Sequence, residues 1–278
     1  MVVTTRRTAA ARPRGGRMTS APTPPTPSGP TAGRPPVVDL ATWQAARDQL
    51  LAREKAHTRE GDVIAAARRR LPMVELDPTV EVVGADGPVP FLSLFRGHDE
   101  LVVYKHMWHD GAPHAGQCEG CTWAAWHLRD TSYLEARGVA FAVVTTGVWD
   151  EVAPFVEFMG YRQPWYSVRG VAFPVGQHMG SLTCYLRDGD RAFLTYATTG
   201  RGNEVVNPQL GVLDMTPYGR REAWQDVPEG WPQGREPGWF WRTDSGGNAT
   251  WGPTSRPAVQ WTLPGATPVE EGAPAHHH

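Results

Sequence analysis

LVVYKHMWHDGAPHAGQCEGCTWAAWHL, residues 101–128, is the stretch on which the fold turns. It opens with a near-continuous apolar run, Leu101 to Trp108, bounded by polar residues, which is the pattern of a buried strand. A polar loop with Asp110, Gly111 and Pro113 follows, then Cys118-Glu119-Gly120-Cys121, then a segment of helical composition. In α/β sheets, reacting groups collect where a strand ends and a helix begins, and the cysteine pair sits at such a junction. A cysteine at a helix N-terminus meets unpaired N–H groups and the positive end of the helix dipole, so the placement predicts a thiolate at Cys118, as nucleophile or metal ligand. Cys121 follows one helical turn later, within reach for a disulfide. The same loop carries His106, read as a structural residue inside the strand, His109, read as a supporting site residue, and His114 as a weaker candidate. Asp110 and Glu119 read as solvated carboxylates.

Upstream, VEVVGADGPVPFLSLF reads as a hairpin about Ala85-Asp86-Gly87-Pro88. Downstream, CTWAAWHLRDTSYLEARG reads as one helix closed by Gly138, and VAFAVVTT as a second buried strand. DEVAPFVEFMG reads as a helix despite Pro154, and SLTCYLRDGDRAFLTYAT as a hairpin about Asp188-Gly189. The order β-β-β-α-β-α-β-β predicts an α/β fold over residues 73–221, a central mixed sheet with flanking helices and right-handed crossovers. Residues 37–72 have apolar positions at helical spacing, read as a two-helix extension that Asp39 or Thr42 caps, Glu60-Gly61 interrupts and Pro72 stops. Residues 1–36 are rich in Pro, Thr, Ala and Arg and are expected to be disordered, as are residues 264–278. Between them, residues 222–263 read as an extended Trp/Pro-rich tail packed on the domain.

Composition narrows the partners. With 27 Lys+Arg against 29 Asp+Glu the formal net charge is −2, which gives no basic footprint for nucleic acid. No apolar run approaches the roughly 20 residues needed to span a bilayer, so no membrane partner is expected. Three cysteines are too few for a stapled secreted domain, and the N-terminus lacks the apolar stretch of a secretory signal; the expected compartment is the cytoplasm. Cys184, inside a strand pattern, reads as a small buried apolar residue. His178, in the loop before SLTCYL, is placed to approach the cysteine pair. Arg201, between Gly200 and Gly202, suits an anion or a peroxide-like oxygen.

Several separated segments, among them WQAARDQLLAREKAHTREGD, VVYKHMWHDG, QCEGCTWAAWHL, FMGYRQPWYSV, CYLRDGDRAFLTYATTGRG and GVLDMTPYGRRE, resemble in order the bacterial thioredoxin-like proteins grouped as domain of unknown function eight-nine-nine. The resemblance spans residues 40–241 and implies a thioredoxin-like fold. More distantly, the chain resembles the peroxiredoxin and Sco-type copper chaperone branch of the thioredoxin superfamily. It departs from thioredoxins at Met179-Gly180, which stands where they carry a cis-proline. The main expectation is a thiol-dependent oxidoreductase that needs no cofactor, with a small-molecule oxidant or thiol as its substrate and a homodimer as its assembly. The alternative implied by the Sco likeness is a copper protein with Cys118, Cys121 and His178 as ligands.

Overall fold

The computed structural model describes residues 33–77, 79–232, 250–251 and 273–274. The expected disorder of residues 1–32, and most of the expected tail and C-terminal end, fall outside these residues. The chain opens with α1 (Leu40–Arg68), one unbroken helix of 29 residues instead of two. Asp39 caps it by accepting the Thr42 N–H at 2.8 Å. Gly61 lies mid-helix with nothing within 4 Å of where its Cβ would be, so nothing forces a break there. The helix also ends four residues before Pro72.

Eight strands form one mixed sheet: β1 (Val74–Glu75), β2 (Glu81–Gly84), β3 (Gly87–Pro90), β4 (Glu100–His106), β5 (Val139–Thr145), β6 (Trp165–Ser167), β7 (Ser181–Asp188) and β8 (Arg191–Thr199). Their order is β1-β8-β7-β4-β5-β6-β2-β3. β4, β5 and β6 run parallel, and β7 and β8 return antiparallel beside β4. The core order β5-β4-β7-β8, with a Cys-x-x-Cys helix leaving β4, is the thioredoxin-like arrangement. Short β1 and β6 have no clear periodicity of their own and come from pairing with longer neighbours. FLSLF, read as part of the hairpin, is instead a 3-10 turn over Phe91–Phe95 that plugs one face of the sheet.

The helix after the cysteines stops early. α2 (Glu119–His127) closes at Leu128, and a separate turn, α3 (Ser132–Glu135), begins where Asp130 accepts the Ser132 N–H at 3.0 Å. Asp side chains compete in this way with helix continuation. α4 (Trp149–Met159) accommodates Pro154, and α5 (Pro208–Asp214) follows the 3-10 stretch Gly200–Val206. Farther along, β9 (Thr250–Trp251), in the expected tail, pairs antiparallel with β10 (Ala273–Pro274), in the end expected to be disordered.

Side-chain alternation along β4 decides what meets what. Leu101 and Val103 join the cluster with Phe91, Phe95 and Val168 on one face. Tyr104 faces the other side, into the cluster with Cys121, Ala124 and Ala125 of α2 and with Val152, Phe155 and Met159 of α4. Fully buried His106 packs there at a tilt against Phe155 and Trp165, at 5.8 and 5.1 Å between ring centroids.

Candidate functional site

Cys118 is the N-cap of α2 and is half-buried; Cys121, inside its first turn, is buried. Both are free thiols and their sulfurs are in hydrogen-bond contact. Donors converge on the inner sulfur: the Met107 N–H at 3.4 Å, the Tyr104 hydroxyl and the Cys118 thiol. Burial pushes the Cys121 thiol up, but these three hydrogen bonds outweigh it, so its pKa falls below the ordinary cysteine value. The hydrogen bond to Cys121, and then burial, raise Cys118 well above that value. The helix-start argument therefore places the cysteines, while the hydrogen bonds around them favour the thiolate on Cys121 over Cys118. Cys118 remains the sulfur nearer solvent.

The frame around the pair is rigid. Thr122 donates its hydroxyl to the Cys118 carbonyl at 2.8 Å, so the His106 Nε2, 3.4 Å from the same hydroxyl, is the protonated ring nitrogen and donates to it. Burial lowers the His106 pKa to about 3, which keeps the ring neutral. Gln117 clamps the loop, accepting from the His109 N–H at 3.0 Å and donating to the His109 carbonyl at 3.0 Å. His109 thus shares the loop with the pair, and its electrostatic influence reaches His106. His114 packs its ring against Phe158 and Phe155. Asp110 pairs with Arg169.

His178 is not brought to the cysteines. It is exposed, in the left-handed region at φ 57°, with its ring 5.3 Å from that of Phe173. Lys105, on the opposite face of β4 from Tyr104, explains this placement. Its buried ammonium donates to the Gln177 carbonyl at 2.8 Å and to the Pro174 carbonyl, and its own carbonyl accepts from the Gly180 N–H at 2.7 Å. These bonds fix the loop so that Gly180, at φ 74°, approaches the site through the side chain of Met107. The Phe173–Pro174 peptide is cis, earlier in this connection than Met179-Gly180. Among the described residues no group of three or more His, Cys, Asp or Glu side chains is gathered to hold a metal, so Cys118, Cys121 and His178 do not fit a three-ligand copper site.

Arg201 is also already engaged. It pairs with Glu204 at 2.8 Å and lies 4.2 Å over the Trp224 ring, in a network where buried Arg220 bridges Glu204 and Asp214. The anion expected for Arg201 is the chain's own Glu204. The described start of the tail, through Trp224, thus docks on the 3-10 stretch. Cys184 sits on β7, half-buried, and burial raises its thiol to about 11, as befits an unreactive residue. Tyr104 and Met107 went unnoticed in the sequence, although counting back in twos from the end of the β4 run puts Tyr104 and His106 on one face.

Among the described residues no helix is long and apolar enough to cross a membrane. No curated protein matches the chain in sequence. Among solved structures, the peroxidoxin BcpB of Mycobacterium tuberculosis is 18% identical, over 50% of this chain and 91% of its own, with a TM-score of 0.34. A secreted disulfide oxidoreductase of the same organism is 14% identical, over 49% of this chain and 97% of its own, with a TM-score of 0.28. The family model described as "Bacterial protein of unknown function (DUF899)" matches residues 32–246, and the chain belongs to that family.

Proposed function

We propose that the protein is a thiol-disulfide oxidoreductase that passes two electrons from Cys118 and Cys121 to a small disulfide or comparable oxidant. The observation that carries this reading is the pair itself: a half-buried sulfur at a helix start, hydrogen-bonded to a buried one on which the Met107 N–H also converges. Once the pair has given up one of its two protons, the other is shared between the sulfurs. When it passes to Cys121, Cys118 becomes the thiolate, attacks one sulfur of the substrate disulfide, and the first substrate thiolate leaves as the S–S bond breaks. Cys121 then attacks Cys118 Sγ, the mixed disulfide breaks, and the second product thiol departs with the shared proton. The protein is left with a Cys118–Cys121 disulfide and the substrate with two reduced sulfurs.

The test is equilibration in glutathione buffers followed by alkylation and mass measurement. The expected result is a reversible two-electron transition lost in both Cys118→Ser and Cys121→Ser, with a trapped mixed disulfide on Cys118 in the second variant. Dithiol that stays reduced at every glutathione ratio overturns the proposal.

A further inference from the structure

We propose that Tyr104 is a positioning residue for the dithiol: its buried hydroxyl donates a hydrogen bond to Cys121 Sγ and, with the Met107 N–H, stabilises that sulfur in the reduced protein. The inference rests on the thiol-exchange reading and adds a residue on a different element, β4, to the two cysteines of α2. Tyr104 is 1% exposed and Cys121 2% exposed, in one packed cluster. A buried phenol needs a partner, and Cys121 provides it. The hydroxyl stays protonated, since burial raises its pKa well above the ordinary tyrosine value, and so acts as a fixed donor.

The groups around Cys121 divide the task. The Cys118 thiol comes from the same helix, and the Met107 N–H from the segment leaving β4. The Tyr161 hydroxyl, also nearby, is committed to the Thr122 carbonyl at 2.9 Å. A hydrogen bond to a thiolate is stronger than one to a disulfide sulfur, because the thiolate carries a full charge. Tyr104 therefore favours the reduced pair and makes the protein a stronger oxidant than the same dithiol without it; stabilising the reduced form is how a dithiol pair gains oxidising power.

The experiment compares wild type, Tyr104→Phe and Tyr185→Phe in glutathione redox buffers. Tyr185 is the control, a buried tyrosine in the cluster on the other face of the sheet, with its hydroxyl on the Pro174 carbonyl at 3.1 Å. Tyr104→Phe is expected to shift the equilibrium toward the disulfide by about tenfold, or about 30 mV to more negative potential, with Tyr185→Phe unchanged. An unchanged potential in Tyr104→Phe, or an equal shift in both variants, overturns the inference. Replacing Tyr104 by 3-fluorotyrosine, a stronger donor of nearly the same shape, should shift the potential the opposite way; a shift in the same direction as Phe, or none, also overturns it. A wild-type pair that never forms the disulfide overturns the exchange reading instead.

Discussion

α1 and α2 are both helices, yet different forces hold them. α1 runs for 29 residues with none buried, and its apolar residues Leu40, Trp43, Leu50, Val63 and Ile64 are exposed. It relies on local terms: an Asp39 cap, a composition rich in Ala, Leu, Arg and Glu, and an Arg68 guanidinium 5.1 Å over the Tyr196 ring near its end. α2 has nine residues and buries five of them, Gly120, Cys121, Thr122, Ala124 and Ala125. Alone it would not persist in water, since isolated helices shorter than roughly 12–15 residues are marginal. The reacting group rides on the helix whose position packing dictates. Sulfur geometry has to hold to tenths of an ångström, and only dense tertiary contact supplies that.

The comparison breaks most readily at Phe155, which supports α2 from α4 and contacts the rings of His106, Trp108 and Trp165. Phe155→Ala should cost about 3–5 kcal/mol in urea unfolding and speed alkylation of Cys118. A loss under about 1 kcal/mol would show that the face below α2 is not tightly packed.

A second test uses Lys105, whose pKa burial lowers to about 8. Between about pH 8 and the ordinary lysine value of about 10.5, the unfolded chain holds a proton that the folded chain has released, so this group makes stability rise with pH across that window. Wild type should therefore gain stability relative to Lys105→Met from pH 8 to pH 10, measured as the difference in urea midpoints; a flat difference would place the ammonium in contact with water.

Gly147 offers a smaller perturbation. A Cβ there would sit 2.7 Å from the Trp108 ring, whose Nε1–H donates to Glu151 at 3.1 Å. Gly147→Ala should cost about 1–3 kcal/mol and alter tryptophan fluorescence. Unchanged fluorescence would mean that the ring is not seated on Gly147.

The smallest effect sharpens the contrast from the α1 side. Gly61→Ala should stabilise α1 by about 1 kcal/mol, read by amide hydrogen exchange along the helix, while the Cys118 alkylation rate stays the same. A change in that rate would reveal coupling between the two helices that the packing does not show.

Much was legible in the sequence because it depends on neighbours in the chain. Apolar alternation and continuous runs marked β4, β5, β7 and β8, Asp39 or Thr42 marked a helix start, and the Cys-x-x-Cys spacing at a strand end located Cys118 and Cys121 on their helix. The short strands β1 and β6 were not legible, since two or three residues become a strand only when a partner presents its edge. Nor was the split between α2 and α3, where an Asp side chain outcompetes a backbone pattern that looks helical throughout. The tertiary structure alone decided which groups meet at the sulfurs. It brought Tyr104 and Met107 to Cys121, turned His178 onto Phe173, and gave Arg201 to Glu204. Residue spacing determines which face of a strand or helix a side chain takes; the order of strands and the anchoring of loops determine what lies opposite that face, and here the hydrogen bonds that converge on Cys121 follow from that second fact.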